Sequence, residues 1–216
     1  MKNPLRRVLV GVVLLSIAVS HGLIASPIIF TYQGIGTGLI NTTSFANADF
    51  TITPTADTAN RQGSGSPWYS IVHDRACISI NGVGVLDFTS STRTFVNQNY
   101  GTCGFSRAGW APWDLFNSDH DDAFATWDMT TSIRPTVSTG TLFQWWKLPV
   151  ETTGGVLNFY DQYTRWTFDA VVVPEPTPVS LFEFAAVGLL LPARLYGLLV
   201  AVSGQKTPVS GCPPRK

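Results

Sequence analysis

Ala76-Cys77-Ile78-Ser79-Ile80, then Asn81-Gly82, then Val83-Gly84-Val85-Leu86-Asp87-Phe88-Thr89: the reading of this stretch decides the fold. Two runs rich in apolar and β-branched residues flank an Asn-Gly pair. Both members of that pair tolerate the positive φ of a tight turn, so the stretch reads as a β-hairpin. Upstream, Asn47, Asp49, Thr51 and Thr53 alternate with Ala46, Ala48, Phe50 and Ile52, Phe45 being the exception. A period of two marks a strand with one wet face. Further strand candidates are 28–32, 93–98, 123–128, 141–145, 156–160 and 164–172, separated by Gly, Asn, Asp, Ser and Pro. The run Gly34-Ile35-Gly36-Thr37-Gly38 reads as the end of the first of them.

No window between 26 and 173 keeps a 3.6-residue apolar period with caps, so helix is expected to be scarce there. No repeat of fixed period is present, which argues against a solenoid or propeller. Eight or more short strands in a single domain predict an all-β fold. An antiparallel β-sandwich of the jelly-roll or lectin-like kind is favoured over a closed barrel.

The two ends have a different character. Lys2, Arg6 and Arg7 precede an apolar run, 8–19, too short to span a membrane. Ala25 then offers a small residue for cleavage before Ser26, so 1–25 reads as an export signal. Of fourteen basic residues, seven lie in the ends: Lys2, Arg6, Arg7, Arg194, Lys206, Arg215 and Lys216. Only Glu175 and Glu183 are acidic there, so the domain 26–173 keeps seven basic and twelve acidic residues, a net charge of −5. An acidic domain lacks the electrostatic footprint of a phosphate backbone, and nucleic acid is not expected as a partner.

After the last strand candidate comes Val173-Pro174-Glu175-Pro176, followed by Thr177-Pro178. Proline fixes φ and removes a donor, so this segment leaves any sheet as a stiff, extended connection. An apolar stretch, 182–202, follows and is long enough to cross a bilayer as a helix. Pro174, Glu175 and Pro176, placed before a carboxyl-terminal hydrophobic segment in a chain with an export signal, resemble the PEP-CTERM sorting signal. The resemblance implies recognition, and cleavage nearby, by an exosortase-like membrane protease in bacteria that make extracellular polysaccharide. It also implies transient membrane association and a final place at the cell surface or in the extracellular matrix. The segments 45–53, 123–133 and 152–157 are similar to stretches common in one set of β-rich proteins with this tail, a set that carries no assigned activity. Here the basic cluster that closes the family pattern is missing, and Arg194 interrupts the apolar stretch after Pro192. An Arg at the centre of a span costs about 2.5–3.5 kcal/mol. Either the span stops at Arg194, or it tilts through to Val202 with Lys206 as its flank. The tail 203–216 reads as coil.

Residues with chemistry are sparse. Cys77 and Cys103 enclose a 25-residue loop, and in an oxidising compartment a bridge between them is expected, contributing about 3 kcal/mol. Cys212 lies alone in the tail, and no Cys/His cluster offers a zinc site. Asp114, Asp119, His120, Asp121 and Asp122 are close enough in sequence to consider Ca²⁺, but the EF-hand spacing is absent and Asp-rich turns are common in their own right. No catalytic residues, metal or cofactor are assigned. Trp68, Trp110 and Trp113 are the candidates for stacking against sugar rings; the bland alternative is burial in the core. Asn41-Thr42-Thr43 matches a glycosylation sequon. These features lead to an exported protein with a structural or adhesive role, alternatively a carbohydrate-binding module that meets extracellular polysaccharide through exposed Trp. A secreted hydrolase is the third reading, and it needs two carboxylates about 5–9.5 Å apart in a cleft.

Overall fold

Alternation carries the chain into strands almost from its first described residue. The computed structural model describes residues 25–63, 67–109, 114–141, 149–161 and 163–174. In chain order these form β1 (Pro27–Ile40), β2 (Thr43–Asp57), a 3-10 turn (Thr58–Asn60), β3 (Trp68–Val72), β4 (Arg75–Ile80), β5 (Gly84–Asp87) and β6 (Thr92–Asn97). There follow β7 (Thr102–Arg107), β8 (Asp114–Ser118), a short helix α1 (Asp122–Thr126), β9 (Ile133–Thr141), β10 (Val150–Thr152), β11 (Gly155–Phe159) and β12 (Tyr163–Val172). Every strand pairing among the described residues is antiparallel, in the order β3-β6-β7-β8-β9-β12-β1-β2-β4-β5. The β10–β11 hairpin is added where Gly38–Ile40 pairs with Leu157–Phe159.

The all-β antiparallel expectation therefore holds, but the strands form one hydrogen-bonded sheet where two were expected. That sheet is a strongly curled half-barrel. Its two halves join at β8–β9 through only two register pairs, Asn117↔Thr141 and Ser118↔Gly140. β9 is long enough to pair with β12 along most of its length and still reach β8 at its end, so hydrogen bonding continues around the corner. Curling brings β1 opposite β7 and β8: the Tyr32 ring lies 5.8 Å from both Phe105 and Phe116. Phe30, Tyr32, Phe105, Phe116, Phe124, Phe159, Trp166 and Phe168 are all buried in one cluster. Each such ring stabilises by about 1.5–3 kcal/mol through removal from water.

The Asn81-Gly82 hairpin is present as β4–β5, with Gly82 at φ 80° and Gly84 at φ 118°. Ile80 pairs with Gly84, so the turn holds three residues where two were expected. Phe45 departs from its neighbours' alternation because of a bulge. Between Gly36↔Ala48 and Gly38↔Phe45 the second strand carries one residue more than the first, and Asn47 takes φ 48°. That residue flips the parity, and Phe45 turns inward. The glycine run 34–38 continues β1 where the sequence reading ended it. Gly34, Gly36 and Gly38 leave a bare stripe that the rings of Phe50, Phe159 and Phe45 fill.

Two further expectations are corrected. Residues 123–128 form no strand: Asp121 accepts a hydrogen bond from Ala123 N at 2.8 Å, and this cap with Asp122 in the first turn starts helix α1. Phe124 of that helix is fully buried, 5.7 Å from Phe168. The Cys77–Cys103 bridge is not formed, and Cys103 is a free buried thiol. Cys103 faces the core cluster, whereas on β4 it is Ala76, Ile78 and Ile80 that do so. Cys77 thus projects from the opposite face of the sheet, six strands away in the order, and the two sulfurs cannot meet.

One polar network lies inside the core. Tyr32 Oη donates to the Gly104 carbonyl at 3.1 Å and lies 2.8 Å from Thr94 Oγ1. His73 Nε2 is 2.9 Å from Thr94 Oγ1, and its Nδ1 is 2.9 Å from Thr92 Oγ1. A carbonyl only accepts, and this sets every proton in the chain. Tyr32 gives its proton to Gly104, so Thr94 donates to Tyr32 and His73 Nε2–H donates to Thr94. Nδ1 is left to accept from Thr92.

Candidate functional site

The side of β3-β6-β7-β8 turned away from the core carries a cleft of about 440 Å³. Alternation places its floor. Thr92, Thr94 and Val96 of β6 are buried with the core, so Arg93, Phe95 and Asn97 project outward. Gly104 of β7 has no side chain, and the Phe95 ring lies over it. Trp68, on the neighbouring edge strand, stacks on Phe95 with ring centroids 6.3 Å apart and planes at 17°. The Arg93 guanidinium sits over the Trp68 ring at 5.1 Å, and Arg93 Nε donates to Ser106 Oγ at 2.9 Å.

The far wall comes from β8 and the loop after it. A register shift between Phe105 and Ser106 marks a bulge opposite Asp114 and Leu115; it turns Leu115 fully inward and leaves Asp114 lining the cleft. Burial pushes the Asp114 carboxyl up to about 6, with the Arg93 charge pulling the other way. Asn117 also lines the cleft, and its Oδ1 is buried without a hydrogen-bond partner. Asn97, Thr102, Ser118, Asp119 and His120 complete the polar lining.

Tyr100 closes one end. It stands in the turn between β6 and β7, where Tyr100 N donates to the Asn97 carbonyl at 3.2 Å. The residue is 70% exposed, the most exposed large hydrophobic among the described residues. Gly101 follows at φ 57°, and a Cβ there would strike the His120 ring. His120 Nδ1 donates to the Tyr100 carbonyl at 2.8 Å, and Nε2 meets Asp122 Oδ1 at 3.1 Å. With an acceptor at each nitrogen, the carbonyl first, the imidazolium is favoured and its pKa is raised.

Of the sequence-assigned residues, Trp68 lines this cleft, as a ring already stacked on Phe95 and covered by Arg93. Trp110 and Trp113 lie outside the described residues. Pro174 is exposed at the end of the domain, whereas Glu175, Pro176, the apolar stretch and the export signal lie outside the described residues. The aspartate cluster divides among local tasks: Asp121 caps α1, Asp119 accepts from Thr139 Oγ1 and Asp122 holds His120. Asn41 is occupied as well. Its side chain bonds the Gly154 carbonyl and the Val156 amide, which ties the β1–β2 turn to the β10–β11 hairpin. Sequence reasoning missed Tyr100, Asn97 and Asn117. The usable signal was an aromatic residue inside the turn Asn97-Gln98-Asn99-Tyr100-Gly101, where no core position is available.

A second hollow of about 420 Å³ lies over β12, β1 and β2. Its aromatic members, Phe50 and Trp166, are core residues, so it offers no exposed ring. The chain matches no protein-family profile, no curated protein and no solved structure.

Proposed function

We propose that this is an exported protein with a structural or adhesive role at the cell surface or in the extracellular matrix. In this reading its amino-terminal signal is removed before Ser26, and its tail is sorted by an exosortase-like membrane protease through Pro174, Glu175 and Pro176. Membrane association through the tail is transient. No catalytic role is part of the proposal. The half-barrel is taken as a sandwich of the lectin-like kind whose two leaves stay joined at β8–β9.

The observation that carries the reading is where the first and last described strands begin and end. β1 begins at Pro27 and β12 ends at Val172, against the two boundaries that the export signal and the Pro-Glu-Pro motif set independently. These ends lie side by side: Ile28 pairs with Val172, and Val173 N donates to the Pro27 carbonyl at 2.8 Å. β12 is paired on both sides, with β9 and β1. A pull on the tail therefore loads two ladders, as suits a domain held by that tail. A second reading, a carbohydrate-binding module, is favoured by the polar cleft beside Trp68.

Mass spectrometry of the mature protein from an exosortase-bearing bacterium tests the proposal. The expected species begins at Ser26 and ends near Pro174-Glu175-Pro176, and Glu175→Ala blocks the trimming. A mature protein that retains both Met1 and Lys216 sinks it.

A further inference from the structure

We propose that the cleft over β6, β7 and β8 binds a neutral sugar ring, with the ring's apolar face on Tyr100 and its hydroxyls on Asn97, Asp114 and Asn117. This inference deepens the adhesive reading above by naming what is held. Sugar rings combine a C–H face with a rim of hydroxyls that both donate and accept. The cleft offers the complement: an exposed aromatic at one end, two amides that donate and accept, carboxylates that only accept, and the Thr102 hydroxyl. Its volume, about 440 Å³, lies within the range of about 300–1,000 Å³ typical of small-ligand sites.

Competing ligands fit less well. An apolar ligand would strip water from Asp114, Asn97 and Asn117 and return no hydrogen bonds. An anionic ligand, such as a uronate chain, would meet the Asp114 and Asp119 carboxylates, while the cations at hand are already engaged, Arg93 by Ser106 and Trp68 and His120 by the Tyr100 carbonyl and Asp122. Asn117 lines the cleft, and its Oδ1, shielded from solvent, is satisfied by no group of the fold. Tyr100 is anchored through its backbone, its amide bonded to Asn97 and its carbonyl to His120, so the turn that presents the ring is ordered before binding.

The full chain is titrated with gluco-, galacto- and manno-oligosaccharides, and with uronate oligosaccharides as the anionic counterpart. At least one neutral series binds, Tyr100→Ala and Asp114→Asn each weaken it about tenfold, and Tyr160→Ala, an exposed aromatic that does not line the cleft, leaves it unchanged. Tyr100 is exposed, so its variant keeps the wild-type melting temperature, and a loss of binding is then not a loss of fold. The proposal is overturned if no neutral series binds at about 10 mM, an affinity limit of about 2.7 kcal/mol. It is equally overturned by a preference for uronates, or by binding that ignores both variants. Correct export and trimming with no sugar binding overturns this inference alone; sugar binding in a protein that is never trimmed overturns the sorting proposal alone.

Discussion

His73 makes the domain sensitive to acid, and the size of the effect follows from its surroundings. The ring is buried between Phe30 and Phe105, 5.7 Å and 5.5 Å away between centroids, with Thr92 and Thr94 at its two nitrogens. Burial holds its pKa down from 6.5 to about 3. In that window the unfolded chain binds a proton that the folded chain refuses, so stability is complete above about pH 6.5 and falls as the pH drops towards 3. At 1.36 kcal/mol per pH unit the full loss is about 5 kcal/mol, and about 2 kcal/mol is gone by pH 5. Domains of this size hold only about 5–15 kcal/mol in total, so the effect is large. Denaturant unfolding of the wild type and of His73→Gln at pH 7.5, 6, 5 and 4 isolates the term, because glutamine does not titrate. The wild type is more stable at pH 7.5, and its advantage shrinks by about 2 kcal/mol at pH 5. Nitrogen NMR finds the neutral ring protonated at Nε2, as the carbonyl of Gly104 requires. A wild-type advantage that stays constant from pH 7.5 to 4, or a ring that titrates near 6.5 in the folded protein, refutes the reasoning.

Gly38→Ala places a Cβ against the Asn158 carbonyl oxygen and the Phe45 ring. That oxygen is fixed in β11, so thermal unfolding should report a loss of about 1–3 kcal/mol. Gly34→Ala meets only the tip of the Phe50 ring, at 2.9 Å, and is expected to cost less than Gly38→Ala. Cys103 is fully buried, and burial pushes its thiol pKa up. Alkylation followed by peptide mass mapping should leave it unmodified in native buffer and modify it once denaturant is added; rapid native labelling contradicts the placement.

The strands that could be read from sequence were those whose two faces differ in polarity. β2, β6, β11 and β12 carry that contrast, and each was located to within a few residues, the largest miss being the end of β2, which runs to Asp57. β1 was cut short because its glycines look like a loop. Their meaning depends on Phe45, Phe50 and Phe159, which come from other strands. The strand read at 123–128 failed for the opposite reason: a short aromatic run fits either structure, and the cap at Asp121 decided it. Beyond the β4–β5 hairpin, strand order was not legible, since nothing local to β9 says that it reaches both β12 and β8. The same holds for the cysteines, because loop length says nothing about which face each sulfur occupies. In the cleft, Trp68 drew notice as a tryptophan, yet the more accessible ring belongs to Tyr100, whose exposure is a property of the β6–β7 turn.

Asp114 separates a binding residue from a structural one, because the two roles give opposite signs. Its folded pKa, about 6, lies above the ordinary 3.8, with burial as the main cause. The sign is therefore the reverse of that at His73. The folded state prefers the neutral acid, so the penalty is absent below pH 3.8, grows as the pH rises and is complete above about 6. It amounts to no more than about 3 kcal/mol, and less once solvent screening of a partly exposed group is included. Asp114→Asn should then raise stability at pH 7.5, leave it nearly unchanged at pH 3.5, and weaken sugar binding at neutral pH. A carboxylate retained only for its attraction to Arg93 behaves otherwise, since its removal costs stability at pH 7.5. The buried, unpartnered Asn117 Oδ1 lies in the same cleft and also opposes folding, while the exposed Tyr100 ring there adds nothing to the core. Local costs gathered at one place are what a site held ready for a ligand requires. A variant that is both more stable and less able to bind is the signature to look for, and an Asp114→Asn protein that loses stability at pH 7.5 removes the argument.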